Sequence, residues 1–287
     1  MNKDIRRTFF LFVIVAIAAT VQIFGQTAAP APVATPAAVH FSTEEELMSD
    51  VKVGPCKNEE RLEAVKAMFK RLGAKDEDIK VEKIDKAQNV IVTKKGKTDE
   101  IVVIGGHYDK VDAGCGIVDN WTGIVILAHL YRTISAMTPN KTFVFVAFDR
   151  EELGLVGSRD MAKAIPKDSR AKYCSMVNLD SFGLGYPFVL QNASNPKLIK
   201  VAKELGETLK VPVSVAEIPG ASSDSASFNN IDIPAITLSA LSAKWPEIMH
   251  QSKDKIEAVI PGSVRVGYNF GLRFIAKMEE AGCADFK

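Results

Sequence analysis

Three apolar runs constrain this chain most, because they are too short for helices and too continuous for strands with one wet face. Residues 101–106 (IVVIGG), 142–148 (TFVFVAF) and 173–180 (YCSMVNLD) stay mostly apolar until their last positions. Strict alternation marks a half-exposed strand, whereas a short continuous run marks a strand covered on both faces, as in a parallel sheet. Segments with helical spacing lie before, between and after the runs. In 57–72 (KNEERLEAVKAMFKRL), Leu62, Val65, Met68, Phe69 and Leu72 share one stripe, and Gly73 ends it. Residues 122–137, 154–165, 196–209 and 263–280 read as further helices, and 89–94, 188–191, 213–217 and 235–238 as further strands. Ser42 or Thr43, each followed three residues later by Glu, could cap a short helix ahead of them. This order predicts an α/β fold: a single domain with a largely parallel, twisted central sheet and helices on both faces.

The N-terminal stretch has a different character. Lys3, Arg6 and Arg7 precede an apolar run from Phe9 to Ile23, the pattern of a signal peptide. The run falls a little short of the roughly 20 residues that a membrane span needs. Residues 27–39 (TAAPAPVATPAAV) hold only Ala, Pro, Thr and Val, which suits a semi-rigid spacer. The expected division is a signal peptide over 1–25, an Ala/Pro-rich spacer over 26–40 and the folded domain over 41–287. Export to a periplasmic or extracellular location follows, with no lasting membrane association after cleavage. Lys and Arg number 36 against 35 acids, a formal net charge of +1 without a basic block, so nothing points to a nucleic-acid partner. The cysteines, Cys56, Cys115, Cys174 and Cys283, form no CxxC pair, which argues against a thiolate zinc site. In an exported protein they suit disulfides, and three pairings remain open.

Chemistry gathers where the buried strands stop. His107 and Asp109 follow the run 101–106, Glu151 and Glu152 follow 142–148, and Asp180 closes 173–180. Asp119 sits in the Gly-rich loop before helix 122–137 and can reach the same edge. In open α/β sheets, sites form at the carboxyl ends of the strands. Apolar strands that repeatedly end in acids lose stability unless a cation or a polar network compensates. Of the four histidines, His40 lies in the spacer and His129 within a helix, where a surface or core role fits better than ligation. His107 and His250 remain as imidazole candidates.

Six segments occur in order: GGHYD (105–109), VDNWTG (118–123), FDREELGLVGS (148–158), VNLDSFG (177–183), SSDSASF (222–228) and MHQSKDKI (249–256). Together they resemble the motif series of the M28 zinc peptidases, the family of bacterial secreted aminopeptidases. The resemblance implies a zinc-exopeptidase-like fold over 41–287, peptide substrates and two zinc ions. It implies that His107 and Asp180 hold one ion, Glu152 and His250 the other, and that Asp119 bridges them. Carboxylates and neutral imidazoles suit zinc. Glu151 would be the general base, taking a proton from the attacking water and passing it to the leaving amine. Asp109 would accept the second N–H of the His107 ring and so orient it.

The sequence also departs from the family. Met249 stands where many members have a Tyr able to donate to the developing oxyanion, and Ser225 follows Asp224 where His is common. Trp121 reads as a wall of the substrate pocket or as an ordinary packing residue, and Cys115 as a disulfide partner or loop residue rather than a ligand. A glutaminyl cyclase, with one zinc, is the nearest rival; its usual Trp before the final His is absent, and the intact EELGLVGS favours a peptidase. A non-catalytic binding protein on this scaffold is a further alternative, set against by the complete ligand set and base.

Overall fold

The computed structural model describes residues 38–287. The signal-peptide reading over 1–25 and most of the 26–40 spacer lie outside the described residues.

The apolar runs become the centre of an eight-stranded mixed sheet. In chain order the strands are β1 (Ile79–Ile84), β2 (Ala87–Lys94), β3 (Ile101–His107), β4 (Thr142–Phe148), β5 (Tyr173–Leu179), β6 (Phe188–Leu190), β7 (Ser214–Ala216) and β8 (Ala235–Ser239). Their spatial order is β1-β2-β4-β3-β5-β8-β6-β7. The four central strands, β4, β3, β5 and β8, are mutually parallel. β2 joins β4, and β6 joins β8, in antiparallel fashion. The parallel part is thus the part read from continuous apolar runs. The side chains of Val103, Phe145, Val146 and Val177 are fully buried, as strands covered on both faces require. β1 has no counterpart among the strands expected from the sequence. Its residues, IKVEKI, carry three charges and pair only with β2, so it is an edge strand with a weak apolar signal.

Helices α1 (Glu44–Val51), α2 (Asn58–Arg71), α3 (Thr122–Ser135), α4 (Val156–Ala164), α5 (Pro196–Leu209), α6 (Ser225–Asn229) and α7 (Pro261–Glu280) complete the order. On one face α3 lies against the sheet, with α1, α2 and α7 packed over it. That layer holds the larger core, including Leu47, Phe69, Ile126, Tyr268 and Phe274. On the other face α4 and α6 cover Val103, Val146, Phe148 and Met176. Of the two cap candidates, Thr43 closes the capping box of α1 with Glu46, its Oγ1 accepting from the Glu46 N–H at 3.2 Å. Ser42 is used instead by His129, whose Nδ1 lies 2.8 Å from its Oγ. Among the described residues no helix is long and apolar enough to cross a membrane.

All four cysteines pair, Cys56 with Cys115 and Cys174 with Cys283. Cys115 is therefore bonded to sulfur rather than available to a metal. Trp121 is 1% exposed and donates from Nε1 to the Asp50 carbonyl at 3.0 Å. It is a packing residue, not a pocket wall.

Candidate metal centre

Because β3, β4, β5 and β8 run parallel, their carboxyl ends share one edge, and the loops leaving that edge bring the predicted residues together. His107 ends β3, Glu151 and Glu152 follow β4, Asp180 follows β5, and His250 comes from the long segment after β8. Asp119 arrives from the turn at Ile117–Trp121 that starts α3.

His107 Nε2 lies 3.1 Å from Asp119 Oδ1 and 3.6 Å from Asp180 Oδ1. His250 Nε2 lies 3.1 Å from Glu152 Oε2 and 3.2 Å from Asp119 Oδ2. The two oxygens of Asp119 thus face different imidazoles. His107, Asp119 and Asp180 present one cluster of donor atoms within 4.8 Å of one another, and Asp119, Glu152 and His250 a second. Glu151 joins His107 and Glu152 in a third such grouping. All seven site residues named from the sequence, Asp109 included, meet here.

Asp109 meets the others differently from expectation. The Nδ1–H of His107 bonds to the backbone carbonyl of Asp109 at 3.2 Å, while the carboxylate stands 3.4 Å away. That carboxylate accepts the backbone N–H groups of Glu151 at 2.9 Å and Glu152 at 3.2 Å. One residue therefore orients the imidazole through its main chain and the tandem glutamates through its side chain. The carbonyl can only accept, so Nδ1 carries a proton and Nε2 is the nitrogen turned toward the carboxylates.

Other side chains brace the same loops. Asp254 accepts from the backbone N–H of Val118 at 2.7 Å and of Asp119 at 3.1 Å. Asn120 donates to the Leu179 carbonyl at 2.8 Å and accepts from Ser181 N at 3.0 Å, tying the Asp119 turn to the end of β5. Gly106 leaves room for this, since a Cβ there would stand 2.6 Å from the Leu179 oxygen. Ser223 donates to Asp180 Oδ2 at 2.5 Å. Arg150, Ser181 and His250, each a ligand candidate or its neighbour, hold positive φ, a strain that surrounding structure must support. These braces escaped the sequence reading because single polar residues in loops carry no periodic signal. Asp254 and Asn120 did lie inside the quoted motifs.

The electrostatics are those of an acid-rich basin. Burial opposes a charge on His107, yet Glu151, Asp109, Asp119 and Asp180 push its pKa well above the ordinary value. Hydrogen bonds donated to Asp119 and Glu152 raise His250 to about 10. Asp119 is held well below the usual carboxylate range by both imidazoles, against its burial. Burial raises Glu151 strongly, with Asp224, Asp180 and Asp119 adding repulsion. Burial likewise lifts Asp224 to about 7, and neither of its oxygens has a hydrogen-bond partner. Glu152 Oε1 is buried and unpartnered too. Such a basin holds more carboxylates than its two imidazoles can balance, and two imidazoles with three carboxylates are the donor set that divalent transition ions take.

The sequence matches the profile of Peptidase family M28 over residues 89–269. The chain belongs to this family. Among its relatives, aminopeptidase Y of Saccharomyces cerevisiae is 31% identical over 122 residues, covering 42% of this chain and 23% of that protein. This M28 chain spans about a third or less of the length of the curated relatives it matches, with 32% and 23% covered in two of them. The fold resembles a zinc aminopeptidase from Bacillus subtilis, with TM-score 0.61 and 23% identity over 70% of this chain and 54% of the other. It also resembles a glutaminyl cyclase from an Acidobacteriales bacterium, with TM-score 0.71 and 18% identity over 88% of this chain and 99% of the other.

Proposed function

We propose that this M28 chain is an exported aminopeptidase that uses two zinc ions to hydrolyse the N-terminal peptide bond of peptides. The observation that carries the reading is the divided carboxylate of Asp119, with one oxygen toward His107 and the other toward His250. A shared carboxylate between two imidazole–carboxylate clusters suits two ions about 3.5–4 Å apart. Two divalent ions, when bound, would polarise the scissile carbonyl and supply the positive charge that lets Glu151 ionise. His107 and Asp180 would hold one, Glu152 and His250 the other, with Asp119 between them. Glu151 accepts the proton of the attacking water and delivers it to the leaving amine. Asp109 holds the Glu151–Glu152 turn in place for that transfer. Zinc and aminopeptidase activity are attributes of related proteins. Export rests on the basic and apolar N-terminus and its Ala/Pro spacer.

Glutaminyl cyclisation is the second reading. Coverage of 99% of a bacterial cyclase by a chain of similar size favours it, while Met249 and the paired clusters favour the peptidase. The test is a panel of aminoacyl and glutaminyl reporter substrates, assayed with chelator and after zinc is restored, together with metal analysis. Cleavage of aminoacyl reporters that chelator abolishes, with about two zinc ions per chain, is expected. One zinc and turnover of glutaminyl substrates alone would establish the cyclase instead.

A further inference from the structure

The first turn of α2 contributes none of the proposed ligands, yet its side chains reach toward the metal centre. Arg61 is 0% exposed, and among the described residues no carboxylate comes within 4.0 Å of its guanidinium. Burying a cation without a counter-ion costs stability unless its donors are fully used. Here they are. Nε donates to the Pro55 carbonyl at 3.0 Å. Nη1 donates to Tyr108 at 2.8 Å and to Asp109 at 3.3 Å. Nη2 donates to Cys115 at 2.6 Å and to Gly116 at 2.8 Å. All five N–H groups of a guanidinium are spent on main-chain carbonyls from three stretches of chain. The Trp121 ring lies beside it, 5.6 Å from Cζ.

The identity of those carbonyls is informative. The Asp109 oxygen that receives Nη1 also receives the Nδ1–H of His107. The Gly116 oxygen that receives Nη2 also receives the N–H of Trp121, closing the turn that carries Asp119. Arg61 therefore stands one bond from the acceptor that orients one proposed ligand and one bond from the turn that presents another. Residues beside it in the chain grip the same loop. Asn58 exchanges two hydrogen bonds with the Lys110 backbone, each 2.9 Å, and Cys56 is bonded to Cys115.

We propose that Arg61 is a positioning residue of the metal centre, holding the loops of His107 and Asp119 in the register that brings both to one divalent cation. The inference rests on the two-ion reading above. A planar fork can serve three loops at once; a lysine ammonium, with three donors at a single point, cannot. Charge stays in place through neutral pH, since burial lowers the guanidinium pKa only to about 10.

The experiment titrates the chelator-treated full chain with cobalt(II), for the wild type and Arg61→Lys, below the unfolding temperature of both. Far-UV circular dichroism checks the fold, and visible absorption reads each ion's ligand geometry. Wild type should take two equivalents. Arg61→Lys should keep the fold but bind the ion of the His107 site about 10- to 100-fold more weakly, the range for groups that orient a ligand, with altered cobalt bands. A role in stability alone would lower the melting temperature and leave affinity and bands unchanged, which overturns the proposal while the two-ion reading stands. Wild type that binds no cobalt removes the two-ion reading and this inference with it. If Arg61→Lys does not fold, NMR of the wild-type Arg61 guanidinium decides. Slow proton exchange before cobalt is added supports positioning by Arg61. Exchange that slows only once cobalt binds means that the ion orders the loops, and the proposal falls.

Discussion

Glu151 and Glu152 are neighbours in the chain with different surroundings. Glu152 Oε2 lies against His250, while Glu151 faces His107, Asp180, Asp119 and Asp224. The backbone N–H groups of both are held by Asp109. Glu151→Gln should therefore keep two bound ions and lose kcat by about 10²- to 10⁴-fold, the range of general acid–base catalysis. Glu152→Gln should empty or weaken one metal site, because an amide is a poor zinc ligand. Initial rates and metal analysis after dialysis check the pair. Reversal of the two outcomes would exchange the roles, and unchanged peptide hydrolysis in both would end the mechanism. At this scale the fold brings together the residues named from the sequence, while Nδ1 of His107 meets the Asp109 carbonyl at 3.2 Å and the carboxylate expected there at 3.4 Å. A spacing of two residues leaves both the carbonyl and the carboxylate in reach of a ring, and only loop geometry chooses.

Among the elements, the joint between α1 and α3 carries a buried polar network beneath the Asp119 turn. His129 Nε2 lies 2.9 Å from Asp50 Oδ2, and Arg132 donates to Glu46 at 2.9 Å and to Ser42 at 2.7 Å. Burial and Arg132 hold the His129 pKa below its ordinary value, although Asp50 opposes them. The folded form thus resists a proton that the unfolded form takes up near pH 6.5. The unfolded state binds more protons in that window, so the His129 contribution is present above pH 6.5 and lost as pH falls below it. Glu46, lowered to about 2 chiefly by Arg132, works in the same direction at lower pH, its contribution present above about 4.5 and lost toward 2. The stability gap between wild type and His129→Gln should narrow from pH 7.5 to pH 5.5, measured by thermal unfolding in the presence of chelator. A gap that widens on acidification would contradict this assignment.

For the molecule as a whole, the Cys174–Cys283 disulfide ties the start of β5 to the chain's last turn across 109 residues. Closing so long a loop restricts the unfolded chain strongly. The Cys174→Ser/Cys283→Ser protein should lose about 2–5 kcal/mol in denaturant unfolding. Its kcat at 25 °C should stay unchanged, because Cys174 lies at the end of β5 opposite Asp180. A large loss of kcat with little loss of stability would place this bond in the catalytic machinery instead.

The sequence alone determined the parallel centre of the sheet, because burial on both faces writes itself into continuous apolar runs. It also brought out the candidate site residues, since acids that repeatedly end such runs call for a cation or a polar network. It did not reveal β1, whose edge position lets charges interrupt the pattern, or α6, which at five residues is too short to show a helical period. The cysteine pairing, the division of Asp119 between two histidines, and the grip of Arg61, Asn120 and Asp254 were decided by tertiary structure. Each joins parts of the chain that only the fold brings together, and pairs such as His107–Asp119 and Val118–Asp254, 12 and 136 positions apart, leave no periodic trace in the sequence.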